Sequence, residues 1–153
     1  MLLKLFDIAG RLIAPFRTPT RRQSAALCWR RDEAGDVEVL LVTTRRTKRW
    51  TPPKGNPMKK RDMPGVAARE AWEEAGVRGE VRKTPLGAYR IQKNRDLGVF
   101  EPLTVDVYPI LVETLDDQYP EADQRARRWF SKEAAADTVR ERDLARLISR
   151  FSP

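Results

Sequence analysis

The chain has 153 residues, with 30 Lys and Arg against 22 Asp and Glu, a formal charge of +8, and this length predicts one domain with its own core. It contains no histidine and a single cysteine, Cys28, which excludes imidazole chemistry, intrachain disulfides and cysteine-rich zinc sites. No apolar run reaches the roughly 18 to 20 residues of a membrane span, and Asp7 makes the first residues a poor signal peptide. We therefore expect a cytoplasmic protein whose chemistry depends on carboxylates, hydroxyls, Lys, Arg and oxygen-bound metals.

The first residues predict an amphipathic helix. Over residues 2–16 the apolar side chains recur at helical spacing, with Lys4, Asp7 and Arg11 off the stripe. This helix is expected to pack on the domain or on a second copy of the chain, and membrane-surface binding is the less favoured alternative. Residues 17–22 read as a linker. We divide the chain into an N-terminal amphipathic helix over 1–18 and one domain over 19–153.

The rest of the chain alternates strands and helices. Segments 24–30 and 37–44 flank a polar, Gly-containing turn and predict a hairpin. A helix is predicted over 64–75, with Asp62 near its start and Gly76 as its stop. Further strands are predicted over 81–91, 103–112 and 128–130, and residues 134–151 end in a helix. This order predicts an α/β or α+β protein with a mixed sheet.

The excess positive charge is concentrated in residues 45–61, which hold eight basic residues and no acidic one. The other 22 basic residues balance the 22 acidic ones. A basic run is often only a solvated surface, but it also fits a site for a multiply anionic ligand. Trp29 and Trp50 could stack on a base, although aromatic residues at such positions more often belong to the core.

Three glutamates share one face of the predicted helix 64–75. Glu70, Glu73 and Glu74 are spaced i, i+3 and i+4, which places them within one turn of each other. The opposite face carries the expected buried stripe of Ala68, Ala71, Trp72 and Ala75. Such a carboxylate cluster is either an exposed acidic face or an oxygen-rich site of the kind that Mg²⁺ or Mn²⁺ prefers.

Together with the loop before the helix, these residues resemble the Nudix box. That pattern is Gly, five residues, Glu, seven residues, Arg-Glu, an aliphatic residue, any residue, Glu-Glu, any residue, Gly and an aliphatic residue. Ala71 is an undersized aliphatic residue, and Arg61 stands where the family has Glu. The positions in register are Gly55, Arg69, Glu70, Glu73, Glu74, Gly76 and Val77.

Segments 25–30, 39–42, 49–55 and 127–130 are similar to the diphosphoinositol polyphosphate phosphohydrolase and diadenosine polyphosphate hydrolase branch, so the resemblance covers residues 21–151. It implies the Nudix α/β/α sandwich, with a mixed β-sheet between helices. It also implies metal-dependent hydrolysis of a diphosphate linkage by water attack on phosphorus. The substrates of that branch, dinucleoside polyphosphates and diphosphoinositol polyphosphates, are strongly anionic small molecules.

The resemblance implies roles for the helix residues. Glu70 and Glu74 would be ligands of Mg²⁺ or Mn²⁺, with the Gly55 carbonyl oxygen as a further ligand. Glu73 would be a ligand or the catalytic base, and these two roles stay open. Arg69 would pair with a carboxylate and orient it. Candidates for binding the phosphates that flank the scissile linkage are Arg22, Arg45, Arg46, Lys54 and Arg127.

Arg61 leaves several alternatives open. It could add a phosphate contact, or the missing carboxylate could come from Asp62, Glu113 or Glu121. The substrate could instead be the 5′ end of an RNA, since a basic face with nearby aromatic residues also fits nucleic acid. A ligand-binding module with weakened catalysis is the third interpretation. A homodimer is compatible with the sequence.

Overall fold

Strand β3 (Arg21–Arg31) is the centre of a mixed sheet. It pairs antiparallel with β4 (Val37–Thr43) and parallel with β9 (Val99–Leu115). The computed structural model describes residues 21–95 and 98–153 and, before them, only the backbone of Leu5–Phe6 and Leu12–Ile13. Residues 23–28 of β3 are all buried, which is the pattern of a strand covered on both faces.

The remaining elements extend this sheet and cover it. The other strands are β1 (Leu5–Phe6), β2 (Leu12–Ile13), β5 (Trp50–Thr51), β6 (Lys54–Gly55), β7 (Val77–Val81), β8 (Gly87–Arg95) and β10 (Arg127–Ser131). The helices are α1 (Met63–Ala75), α2 (Lys132–Thr138) and α3 (Arg142–Arg150). The strand order is β10-β4-β3-β9-β7, with β5 paired to β4, β6 to β3 and β8 to β9.

Helix α1 covers one face of the sheet, and α2 and α3 cover the other. The core under α1 is built mainly from small side chains, among them Ala26, Cys28, Ala67, Ala71 and Ala75. The core under α2 and α3 includes Ala25, Leu27, Ala135, Leu144 and Ile148. The predicted α/β/α sandwich with a mixed sheet is therefore confirmed. Within residues 21–95 and 98–153, no helix is long and apolar enough to cross a membrane.

The predicted hairpin and the predicted helix over 64–75 are both present. β3 and β4 pair in the register Cys28 with Leu40. Their turn is closed by Asp32, whose Oδ1 accepts the N–H groups of Ala34 and Asp36, each at 2.9 Å. The backbone of Gly35 in that turn has φ +87°, which favours glycine. These contacts explain why local sequence signals were sufficient here.

The prediction of one strand over 81–91 is wrong. β7 ends at Val81, and β8 begins at Gly87. Pro85 lies between them and has no N–H to give to a ladder, so it marks a break rather than the middle of a strand. β7 and β8 instead pair with different parts of the long β9. The prediction over 103–112 lies within β9 and is too short.

The N-terminal helix prediction is wrong at the positions that the structure describes. Leu5–Phe6 and Leu12–Ile13 form an antiparallel pair, not a helix. Apolar residues that occur in adjacent pairs fit either structure, and Gly10 between them costs a helix about 1 kcal/mol relative to Ala. The other residues of the predicted helix over 1–18 lie outside the described residues.

Candidate active site

Helix α1 is fixed at both ends, and this positions its three glutamates. At the start, Asp62 Oδ1 accepts the N–H of Gly65 at 2.9 Å, a side-chain N-cap. At the end, the Gly76 N–H donates to Trp72 O at 3.0 Å with φ +67°. A Cβ at Gly76 would lie 2.6 Å from Asp116 O. Both the left-handed backbone and the close approach therefore require glycine there.

The expected buried stripe of α1 differs from the observed one. Ala71 and Ala75 are buried as predicted, but Ala68 and Trp72 are only half-buried. Pro64, Val66, Ala67 and Glu74 are buried instead. Trp72 remains at the surface because the Arg78 guanidinium covers its ring, with 3.9 Å from the guanidinium carbon to the ring centre.

Glu74 is the buried carboxylate of the cluster, with only 6% of its surface exposed. Its Oε2 accepts the backbone N–H of Lys54 at 3.3 Å, and its Oε1 lies 3.4 Å from Arg125 Nη2. Burial raises the pKa of Glu74 to about 7, an effect that Arg125 and Lys54 oppose. The alternative of an exposed acidic face is wrong for Glu74, which is buried because its partners come from other elements.

Glu70 lies directly against Gly55. A Cβ at Gly55 would be 2.1 Å from Glu70 Oε1 and 2.4 Å from its Cδ, so a side chain there would displace the carboxylate. β6 holds Gly55 in place by pairing with Ser24 of β3. Burial, Glu74 and Glu73 together raise the pKa of Glu70 to about 7. A carboxylate this crowded by like charges is a favourable place for a cation.

Glu73 is partly exposed and is paired within the helix. Arg69 Nε donates to Glu73 Oε1 at 2.7 Å, as expected for an arginine that orients a carboxylate. The Glu73 carbonyl oxygen accepts the N–H of Glu121 at 2.9 Å. A fourth carboxylate, from the turn before β10, is therefore docked on the helix.

The donors available at this site are carboxylate and carbonyl oxygens, which suit Mg²⁺ or Mn²⁺. Among the described residues, however, no three acidic side chains converge in the arrangement of a metal site. Arg69 holds Glu73 and Arg125 holds Glu74. The chemistry of the donors and the mutual repulsion at Glu70 fit a hard divalent cation, and the carboxylates would have to turn toward it.

Arg61 does not take part in this cluster. Its side chain is exposed and forms no ion pair within the described residues. Of the three alternative carboxylates, Asp62 is occupied as the cap of α1 and lies 4.0 Å from Lys83. Glu113 is exposed on β9. Only Glu121 comes to the glutamates, where its charge contributes to the raised pKa of both Glu70 and Glu74.

The basic segment 45–61 reaches the site at Arg45 and at Lys54. Arg45 Nη1 lies 3.9 Å from Glu121 Oε1 and 3.3 Å from the Gln124 side-chain oxygen. Arg46 is exposed. Lys54 is half-buried, and burial lowers the pKa of its amine while the nearby Glu74 opposes that change. The structure therefore brings Arg45 and Lys54 to the carboxylates and leaves Arg46 on the surface of the same segment.

Arg22 and Arg127 already have internal partners. Arg22 pairs with both oxygens of Asp106, at 2.9 and 2.5 Å, and lines a cavity of about 420 Å³ together with Tyr89. Arg127 Nη1 donates to the carbonyl oxygens of Ala75 and Asp116 at 2.8 and 2.7 Å. Arg127 thus ties the end of α1 to the residue that follows β9.

The two tryptophans that could have stacked on a base pack on the core. Trp29 lies edge-to-face on Phe151, with ring centres 5.6 Å apart, and Trp50 lies edge-to-face on Phe130 at 5.2 Å. The interpretation of these rings as core residues is confirmed.

Sequence reasoning missed Arg125. Its side chain is 11% exposed and contacts Glu74, Glu121 and the backbone of Thr43. No local signal marks it, because its partners lie on other elements and it stands among several arginines near β10. The i, i+4 spacing from Glu121 is the one local clue, and it predicts an ion pair rather than a site.

Comparison with known proteins identifies relatives of this chain. The Arabidopsis thaliana protein Nudix hydrolase 4 is 33% identical over 101 residues, covering 66% of this chain and 47% of that protein. Diphosphoinositol polyphosphate phosphohydrolase 2 of Rattus norvegicus is 33% identical over 117 residues, covering 75% of this chain and 60% of that protein. The chain thus spans less than two thirds of the length of these relatives.

The crystal structure of the C. elegans Ap4A hydrolase has the same fold. It superposes with a TM-score of 0.60 at 19% identity, over 86% of this chain and 96% of that one. The model of the NUDIX domain matches residues 21–151, which include both core layers and all the glutamates of the site. The chain therefore belongs to the Nudix family.

Proposed function

We propose that the protein is a metal-dependent pyrophosphohydrolase that cleaves a diphosphate linkage in a highly anionic small molecule by water attack on phosphorus. The observation that carries this proposal is the packing of Glu70 against Gly55 beside the buried Glu74. Burial and like charge raise the pKa of both carboxyls to about 7. A helix keeps such a cluster at a cost in stability, and a bound divalent cation would offset that cost.

Glu70, Glu74 and Glu73 would hold Mg²⁺ or Mn²⁺ together with the Gly55 carbonyl oxygen. Such a cation neutralises charge on the phosphate oxygens and makes bound water easier to deprotonate. Arg69 keeps Glu73 in place through their 2.7 Å contact. We favour Glu73 as the catalytic base, because Glu74 is buried and Glu70 lies against Gly55. The role of metal ligand remains the alternative for Glu73.

The substrate class follows from the charge around these carboxylates. Arg45 and Lys54 lie close to the cluster and Arg46 is exposed on the same segment, so several phosphates could be neutralised beside the scissile linkage. This supports a dinucleoside polyphosphate or a diphosphoinositol polyphosphate over a nucleotide sugar with only two phosphates. Relatives named as diphosphoinositol polyphosphate phosphohydrolases and the fold of an Ap4A hydrolase support the same class.

A binding module with weakened catalysis is the second candidate, and Arg61 favours it. The family's glutamate at that position is absent, and Arg61 is exposed. Arg125 joins Glu121 to Glu74 and so brings a fourth carboxylate to the cluster, which is why we favour the enzyme. Hydrolysis at RNA 5′ ends, a homodimer and a cytoplasmic location stay predictions from the sequence.

The experiment is a release assay on four substrates: a diadenosine polyphosphate, a diphosphoinositol polyphosphate, a nucleotide sugar and a 5′-triphosphorylated RNA. Each is incubated with Mg²⁺ or Mn²⁺ in ¹⁸O-labelled water, so that the labelled product identifies the phosphorus attacked. Glu74→Gln should abolish turnover and stay folded, while Glu133→Gln, at an exposed position of α2, should behave as the unchanged protein. Cation binding without turnover on any substrate would favour the binding module. Turnover on the RNA alone would assign the RNA function.

A further inference from the structure

Arg125 is a nearly buried cation that connects three separate parts of the protein. Its Nη1 donates to Thr43 O at the end of β4, at 3.1 Å. Its Nη2 lies 3.2 Å from Glu121 Oε1 and 3.4 Å from Glu74 Oε1, and its Nε donates to Glu121 at 3.3 Å. An arginine with only 11% of its side chain exposed needs such partners, because burial of an unpaired charge is strongly destabilising.

Hydrogen bonds fix the backbone next to Arg125, and they therefore fix the position from which the Arg125 side chain extends. Ala126 N–H donates to Thr43 Oγ1 at 2.9 Å, and Thr43 N–H donates to Ala126 O at 3.0 Å. On the other side of the guanidinium, the Glu121 N–H is bonded to Glu73 O at 2.9 Å. The Glu121 carboxylate is therefore held between its own backbone contact with α1 and the fork of Arg125.

This arrangement adds a carboxylate to a cluster whose box has lost one. Arg61 replaces the family glutamate and faces solvent, whereas Glu121 and Glu74 both lie within 3.4 Å of the same Arg125 nitrogen. Without a cation between them, Glu121 and Glu74 would repel each other across the site. Arg125 contacts both, and it is the cation that favours ionisation of Glu70 as well.

We infer that Arg125 is a positioning residue that holds Glu121 beside the glutamates of α1, and that this pair supplies the cluster with the carboxylate that the box lacks at Arg61. The inference rests on the proposed hydrolase function. Arg125 itself acts through Glu121 and Glu74 and does not touch the substrate. Removal of a residue that orients metal-binding carboxylates typically costs about 10- to 100-fold in metal affinity or activity.

The test measures Mn²⁺ affinity, kcat, KM and melting temperature in Arg125→Met, Arg125→Lys and Glu121→Gln. Arg125→Met should lose about tenfold or more in Mn²⁺ affinity and in kcat, with KM unchanged. Arg125→Lys should recover part of the loss, since it keeps the charge without the fork. Glu121→Gln leaves Arg125 paired with Glu74 and Thr43, so it should fold and show the same defects.

The double variant Arg125→Met, Glu121→Gln should be no worse than the more impaired single variant, because the two residues act as one unit. Arg30→Met is the matched control: Arg30 also pairs with a glutamate, at 2.8 Å from Glu38, and covers a tryptophan ring, but it lies on the hairpin. It should change neither Mn²⁺ affinity nor kcat.

Three outcomes would overturn the inference. A raised KM with unchanged Mn²⁺ affinity would make Arg125 a substrate ligand. A lower melting temperature with unchanged affinity and kcat would make it purely structural, and additive losses in the double variant would separate it from Glu121. If the unchanged protein hydrolyses none of the four substrates, the proposed function fails, and the Mn²⁺ affinities alone still decide the role of Arg125.

Discussion

The substitution Gly55→Ala separates the stability of this protein from the function proposed for it. The backbone of Gly55 does not have a positive φ, so alanine is tolerated there without backbone strain. The new methyl group would lie 2.1 Å from Glu70 Oε1 and 3.0 Å from Glu70 Cγ. All three of the closest atoms belong to the Glu70 side chain, which can rotate away, and none belongs to the backbone.

The size of the effect follows from these distances. Ordinary contact begins at 3.4 Å, so the Glu70 oxygen must withdraw by about 1.3 Å. A misplacement of about 1 Å at a reacting centre costs on the order of 100-fold in rate. The loss of freedom in the unfolded chain stabilises alanine by about 0.4 to 1 kcal/mol. We therefore expect a loss of about 100-fold in turnover with a free energy of unfolding that changes by less than about 1 kcal/mol.

Urea denaturation, a Mn²⁺ titration and the release assay on a diadenosine polyphosphate measure these quantities. The control is Gly35→Ala, where no atom lies within 4 Å of the new methyl group but φ is +87°. It should cost about 1 kcal/mol of stability and leave turnover unchanged. Unchanged Mn²⁺ affinity and turnover in Gly55→Ala would refute the placement of Glu70 at the functional centre. A loss of several kcal/mol of stability would refute the steric argument.

Three further predictions test the same arrangement. In metal-free buffer the free energy of unfolding should fall as the pH rises from about 5 to 8, because the pKa values of Glu70 and Glu74 are raised to about 7 and the folded state resists their ionisation. Urea titrations with and without Mg²⁺ measure this, and a rise in metal-free stability would contradict it. Arg127→Met should lower the free energy of unfolding by about 2 kcal/mol, because two carbonyl oxygens lose their hydrogen-bond donor. KM should stay unchanged. A raised KM at unchanged stability would instead place Arg127 at the substrate. Arg46→Ala should leave the melting temperature unchanged and raise KM most at low ionic strength; a KM that is unchanged at every salt concentration would remove Arg46 from the substrate site.

The elements predicted correctly are those whose signals are local. α1 has a capping aspartate, Asp62, and a left-handed glycine, Gly76, at its two ends, and both can be recognised within the segment itself. The prediction of one strand over 81–91 is wrong because Pro85 separates β7 from β8 within a segment that has the apolar content of a strand. β7 and β8 both pair with β9, which is long enough to pair with each of them along a different part. No local sequence pattern shows this pairing.

The candidate site was predictable only in part for the same reason. The i, i+3, i+4 spacing shows that the three glutamates share a helix face, and the box pattern adds Gly55. Spacing does not show which glutamate is buried. Glu74 is buried because the Lys54 backbone and Arg125 come to it from β6 and from the turn before β10, and these are contacts of the folded chain.

The charge balance of the site also depends on contacts between α1 and other elements. Within α1 only Arg69 offsets a glutamate, through its pair with Glu73, so the helix alone would keep two uncompensated carboxylates. Arg125 compensates Glu74 and brings Glu121 with it, which returns a negative charge to the cluster. The net effect is a site that remains short of positive charge at Glu70, the carboxyl whose pKa is raised to about 7 by burial and three glutamates. Under the proposed function a divalent cation would supply that positive charge, and Glu121 would supply the carboxylate that the box lacks at Arg61.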